Sequence, residues 1–178
     1  VLSLLFVSSV SFAGSINVNM SNSAAQFEGG ISSEGGGEYQ SGVIYNDQGG
    51  VMVDAGLMKG GGGEDTSGLV IVGGVKVVGA RLVQVGVVNS ASCVAIGGQG
   101  TFTPKDSHSV AFVGEFLSSL KITTYGDADR FSQFAVRLEM GPPHAKIFIG
   151  YREITFSLKA AASASIDKGG YMGMLVSF

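Results

Sequence analysis

The chain has 178 residues with 11 basic and 14 acidic side chains, a net charge of −3 that excludes the basic stripe of a nucleic-acid binder. Its 45% hydrophobic share excludes a disordered tail, and its 14% charged share lies well under the roughly 25% of an average soluble domain. One cysteine, Cys93, excludes an internal disulfide and a cysteine-based zinc site, and 29 glycines beside only 3 prolines, with no Gly-X-Y period, are neither linker nor collagen.

The first segment, VLSLLFVSSV followed by Ser11-Phe12-Ala13, is apolar and then small. Ser11 and Ala13 stand where a secretory peptidase requires small side chains, at −3 and −1 of a cut before Gly14. The reading is a signal peptide over 1–13 with its basic region truncated, and a mature domain over 14–178. A membrane helix is not expected there, because ten apolar residues fall short of the ~20 required. Nor does any later stretch reach ~18, since Lys76, Arg81 and Gln84 interrupt the densest one at 69–88.

The remainder of the chain alternates with a period of two, the signature of strands with one apolar and one polar face. In chain order, strands are expected near 15–21, 24–33, 38–46, 50–59, 68–79, 91–103, 108–118, 129–141, 145–159 and 169–178. The segment RFSQFAVRLEM at 130–140 shows the pattern most cleanly, with Phe134, Val136, Leu138 and Met140 opposite Ala135, Arg137 and Glu139. In 146–159 the phase shifts between Tyr151 and Ile154, which predicts a β-bulge near Arg152-Glu153 that keeps both charges on the polar side. Between the runs stand turn sequences such as Glu34-Gly35-Gly36-Gly37, Asn46-Asp47-Gln48-Gly49 and Gly141-Pro142-Pro143-His144.

Ten strands of this length predict an all-β, closed, antiparallel up-and-down transmembrane β-barrel with a small side-chain-filled lumen. Eight strands are the alternative, if 15–33 is one element. The faces favour a membrane barrel over a soluble lipocalin-like one. The polar faces are glycine-rich and sparsely charged, which suits an enclosed lumen, whereas the apolar faces carry Phe and Tyr near strand ends, which suits lipid and its headgroups. The polar faces then supply a lumen charge network of Glu28, Asp54, Lys76, Glu115, Arg137, Glu139, Lys146, Arg152 and Glu153. Its near-balance of sign predicts a salt-bridged plug, with a polar track for small solutes as the alternative. Loop lengths put 80–90, 119–128 and 160–168 outside the cell and the short 104–107 and 142–144 in the periplasm, with 60–67 as an exception.

The last residues, GYMGMLVSF, place Met172, Met174, Val176 and Phe178 on one face and end on an aromatic. This resembles the terminal strand of bacterial outer-membrane barrels, which acts as their insertion signal. Together with FAVRLEMGPPHAKIFIGYREI at 134–154 and Val72-Gly73-Gly74-Val75-Lys76, it resembles the YfaZ family of small predicted outer-membrane proteins. That resemblance implies a bacterial outer-membrane barrel without an assigned activity or catalytic residues.

Catalytic chemistry finds no support. His108 and His144 fall in short turns without the third ligand that zinc needs. The Gly60–Gly63 run lacks the Gly-Lys-Ser/Thr of a phosphate loop, and Asp127 with Asp129 is too little for a calcium shell. Cys93 reads as a small lumen filler. The expectation is a monomeric, porin-like or structural outer-membrane barrel of a Gram-negative bacterium, with no cofactor or metal. Its partners would be membrane lipid and, through the C-terminal strand, the barrel-assembly machinery, with no nucleic acid. A barrel that presents its outer loops for binding or adhesion is the second expectation.

Overall fold

The computed structural model describes residues 13–33, 35–60, 68–84, 87–104, 109–159 and 162–178. Residues 1–12 of the proposed leader, most of the Gly60–Gly63 turn and His108 lie outside these residues. Ten strands are present: β1 (Gly14–Ser21), β2 (Ala24–Ser32), β3 (Gly37–Asn46), β4 (Val51–Gly60), β5 (Leu69–Gln84), β6 (Val87–Phe102), β7 (Val110–Gly126), β8 (Ala128–Met140), β9 (Ala145–Leu158) and β10 (Ala164–Ser177). Each pairs antiparallel with its neighbours in sequence, and β1 pairs with β10 to close the barrel. At the seam the Gly14 N–H donates to the Phe178 carbonyl at 2.7 Å, and the Phe178 N–H returns the bond at 2.9 Å. The alternative of eight strands is therefore excluded.

The register fixes the barrel's size. Followed once around from Phe102 on β6, through Phe112, Leu138, Ile149, Met172, Met20, Ala25, Tyr45, Val51 and Arg81, the pairing returns to β6 at Ser90, twelve residues away. With a rise of ~3.3 Å and a strand spacing of ~4.8 Å, that stagger gives a tilt of about 40° and a backbone radius of about 10 Å. A cylinder that narrow is filled by inward side chains.

The outer surface is divided into zones. Among the described strands, ionisable side chains that face outward occur at Lys59 near one end, and at Arg81, Lys121 with its partner Asp129, Arg130, Glu153 and Lys168 toward the other. Between them the outer face is Val, Ile, Leu, Met, Phe, Tyr, Gly, Ala and Ser. Val136 and Ile149 are exposed there, whereas Glu139 is buried inside. On β5 the band runs from Leu69 to Gly79, which at a 40° tilt is about 25 Å tall, the height of an outer-membrane barrel's apolar belt. Aromatic side chains mark its margins, with Tyr39, Phe102 and Phe112 toward one and Tyr45, Phe116, Phe134 and Tyr151 toward the other. A soluble lipocalin-like barrel, with its apolar face inward, is ruled out for this band.

We call the end where β1 begins and β10 finishes proximal, and the other distal. Above the band the polarity inverts on β9, whereas Val87, Val88, Leu120 and Ile122 stay exposed at the distal ends of β6 and β7. On β9 the outward residues Ile147, Ile149 and Tyr151 give way to Glu153, Thr155 and Ser157, while inward Lys146 and Arg152 give way to Ile154, Phe156 and Leu158. The strand keeps its phase through this change, so the bulge expected at Arg152-Glu153 is absent from β9. It sits on the partner strand, where the register shifts between Ser165 and Asp167 and both Ile166 and Asp167 are buried. Glu153, expected in the lumen, is on the outer face and pairs with Lys168 at 3.0 Å. The apparent phase shift in sequence is thus a change of solvent along an unbroken strand.

The distal loops differ from expectation for the same reason. β5 runs to Gln84, β6 starts at Val87, and a single residue, Asp127, separates β7 from β8, so 80–90 and 119–128 are mostly strand. Asp127 fastens its turn by accepting the Ser90 N–H at 2.9 Å through Oδ2. Only 120–123 leave the ladder, since this stretch opposes Val94 alone; Thr123 Oγ1 closes the excursion by donating to the Val94 carbonyl at 2.9 Å.

Candidate functional site: a stratified lumen

Inward residues come from every second position of each strand, so lumen chemistry is set by strand periodicity and by where glycine leaves space. Gly56 is one such position: a Cβ there would sit 2.5 Å from Lys76 Cγ and 2.6 Å from the Val75 carbonyl, so the lysine stem lies across the gap. Gly97 faces inward against the Phe116 carbonyl at a separation no Cβ tolerates. From proximal to distal the lumen then passes through three layers.

The proximal layer is a polar vestibule of about 390 Å³ lined by Asn17, Glu28, Glu38, Gln40, Gln99, Thr101, Glu115, Arg137, Glu139 and Lys146 among others. Seven of the nine charges expected in the lumen form two clusters at this level. Lys76, almost wholly buried, faces three carboxylates, with Glu28 at 3.4 Å, Glu115 at 3.6 Å and Asp54 at 3.7 Å. Asn17 also donates to Glu28 at 3.3 Å and Gln133 to Glu115 at 3.0 Å. Asp54 Oδ1 is buried and accepts no hydrogen bond. On the β8–β9 wall, Glu139 accepts from Arg137 Nε at 2.7 Å and from Lys146 Nζ at 3.1 Å. The Arg137 guanidinium lies 5.3 Å from the centroid of the Phe148 ring.

The middle layer is a clasp. Arg152 donates to Asp167 Oδ2 through Nε at 2.9 Å and Nη2 at 2.6 Å. Its Nη1 donates to Asn19 Oδ1 at 2.9 Å and also to Gln26 Oε1. Asp167 Oδ1 in turn accepts the Ser21 hydroxyl at 2.8 Å and the Ser23 hydroxyl at 3.2 Å, tying β10 to the β1–β2 turn. The guanidinium also lies 4.8 Å from the Tyr171 centroid. Arg152 is therefore separate from the vestibule network. Asp167, its partner, and Glu38 of the vestibule are lumen charges that sequence reasoning missed; Asp167 lies in a segment that reads as loop, and only the bulge at Ile166 turns it inward.

The distal layer is largely apolar. Ile44, Met52, Val78, Leu82, Leu117, Phe131, Ile154, Phe156 and Ile166 form one buried cluster with small residues between them. Phe131 and Phe156 pack with ring centroids 4.9 Å apart. Cys93 is buried in this layer as a space-filler. Among the described residues no group of three or more His, Cys, Asp or Glu is arranged to hold a metal ion.

The full length, residues 1–178, matches the family model described as YfaZ precursor. Two solved structures are similar in fold. One is the outer membrane channel DcaP of Acinetobacter baumannii, at 12% identity and a TM-score of 0.46, covering 91% of this chain and 54% of that one. The other is the porin NanC, at 9% identity and a TM-score of 0.43, covering 93% of this chain and 98% of that one. The chain thus spans about half the length of the DcaP channel. No curated protein matches it.

Proposed function

This chain belongs to the YfaZ family, and from that premise we propose that it is a bacterial outer-membrane barrel whose lumen is blind, a membrane-embedded structural protein with a vestibule and not an open pore or an enzyme. The observation that carries this reading is the inversion of lumen polarity along the axis. The vestibule ends at the Arg152–Asp167 clasp, and beyond it the inward faces of β3 to β10 converge in an apolar cluster. An apolar constriction excludes water and hydrated ions even where the backbone cylinder is wide.

In this reading residues 1–13 are a leader, and the proximal end faces the periplasm. The C-terminal face of Met172, Met174, Val176 and Phe178 is the segment the assembly machinery engages, and the barrel inserts as a monomer. The vestibule charges hold strands together across the lumen; Lys76 links β5 to β2, β4 and β7. The tight distal connections leave little loop to present, which weighs against the adhesion reading.

Planar-bilayer recording of the refolded protein tests this. The expected result is electrical silence from protein that still shows heat-modifiable migration on gels. Discrete conductance steps from the same preparation overturn the closed lumen.

A further inference from the structure

The vestibule's charge is uneven, and we propose that it binds small organic cations that carry a primary ammonium or guanidinium group; this rests on the blind-lumen reading only for its direction of entry, from the proximal end. Four carboxylates and two cations line the space. Both cations, Arg137 and Lys146, converge on Glu139. The excess of negative charge therefore falls on Glu28 and Glu38 of the β2–β3 wall and on Glu115 of β7, beside β8.

Lys76 does not neutralise these carboxylates. It is one ammonium among three carboxylates, and one of them, Asp54, is buried with an oxygen that accepts no hydrogen bond. Glu115 directs the same oxygen, Oε1, at both Lys76 and Gln133. Among the described residues Glu38 meets only the Ser15 hydroxyl, at 3.5 Å. Surplus negative charge in an enclosed lumen is unfavourable unless a further cation joins it. The carboxylates of Glu28, Glu115 and Asp54 already gather around one ammonium, that of Lys76, at 3.4 to 3.7 Å. A volume of about 390 Å³ lies within the range of small-molecule sites, and Gln99 and Thr101 add neutral partners for further N–H donors.

The test is calorimetric titration of the full chain, folded in zwitterionic detergent, with 1,4-diaminobutane, and with succinate as a dianion of equal carbon number. Saturable binding of the diamine without binding of succinate is expected. Glu115→Gln weakens it about tenfold, the loss of one charge-assisted hydrogen bond. Glu38→Gln, at the mouth, weakens it less, and it carries the test if Glu115→Gln fails to fold. Equal binding of both probes, no diamine binding to folded protein, displacement by sodium at equal concentration, or unchanged affinity in the folded variants overturns the site. A conducting barrel that binds the diamine refutes the blind lumen and keeps the site; a silent one without diamine binding does the reverse.

Discussion

Asp167→Asn isolates the clasp with minimal change of shape. Arg152 and Asp167 are each 2% exposed, and the carboxylate oxygen lies 2.6 Å from Nη2. At an effective dielectric of about 20 and a charge separation of about 4 Å, their attraction is about 4 kcal/mol. Removing the negative charge leaves Arg152 buried with only the neutral oxygens of Asn19 and Gln26, and breaking a buried pair on one side costs about 3–5 kcal/mol. Urea unfolding in lipid vesicles, read by gel mobility and circular dichroism, should therefore show a loss of about 3–5 kcal/mol. The double variant Arg152→Met with Asp167→Leu should recover most of it, because an apolar pair of similar volume strands no charge. Lys168→Ala serves as the control, since it removes the adjacent residue's ion pair with Glu153 in bulk solvent and should leave the transition unmoved. A loss under about 1 kcal/mol for Asp167→Asn, or a double variant as unstable as the single one, refutes the reasoning.

The layering of the lumen carries three other expected outcomes. Phe156→Ala, at the centre of the distal cluster and packed on Phe131, should lower stability by about 3–5 kcal/mol in the same unfolding assay. The chain has no tryptophan, so single tryptophans report cleanly on solvent. Ile149→Trp should emit in the blue and be quenched by acyl-chain quenchers, whereas Thr155→Trp should emit in the red and be quenched by aqueous acrylamide. Gly97→Val drives a side chain into the Phe116 carbonyl and should abolish the heat-modifiable form, while Gly114→Ala, whose Cβ meets nothing within 4 Å, should fold normally.

The barrel and the sequence agree where one face meets lipid. In the apolar band the contrast of Phe134, Val136 and Leu138 against Ala135, Arg137 and Glu139 was legible because hydrocarbon demands an uninterrupted apolar face, and the narrow lumen receives whatever remains. Strand number and antiparallel order followed from that alternation and from the turn residues between runs.

The distal half was not legible in the same way. Phe131, Ile154 and Phe156 are as apolar as Ile149, and periodicity records only that a residue lies on a face, not which medium that face meets. Only closure of the barrel, with twelve residues of stagger and inward residues from β2 to β10 brought together, shows that the faces of β9 exchange solvents above Arg152 and that the lumen ends in an apolar cluster. The clasp is tertiary for a further reason. Asp167 meets Arg152 because one inserted residue in β10 turns both Ile166 and Asp167 inward, and such a bulge exists only by comparison with the strand beside it.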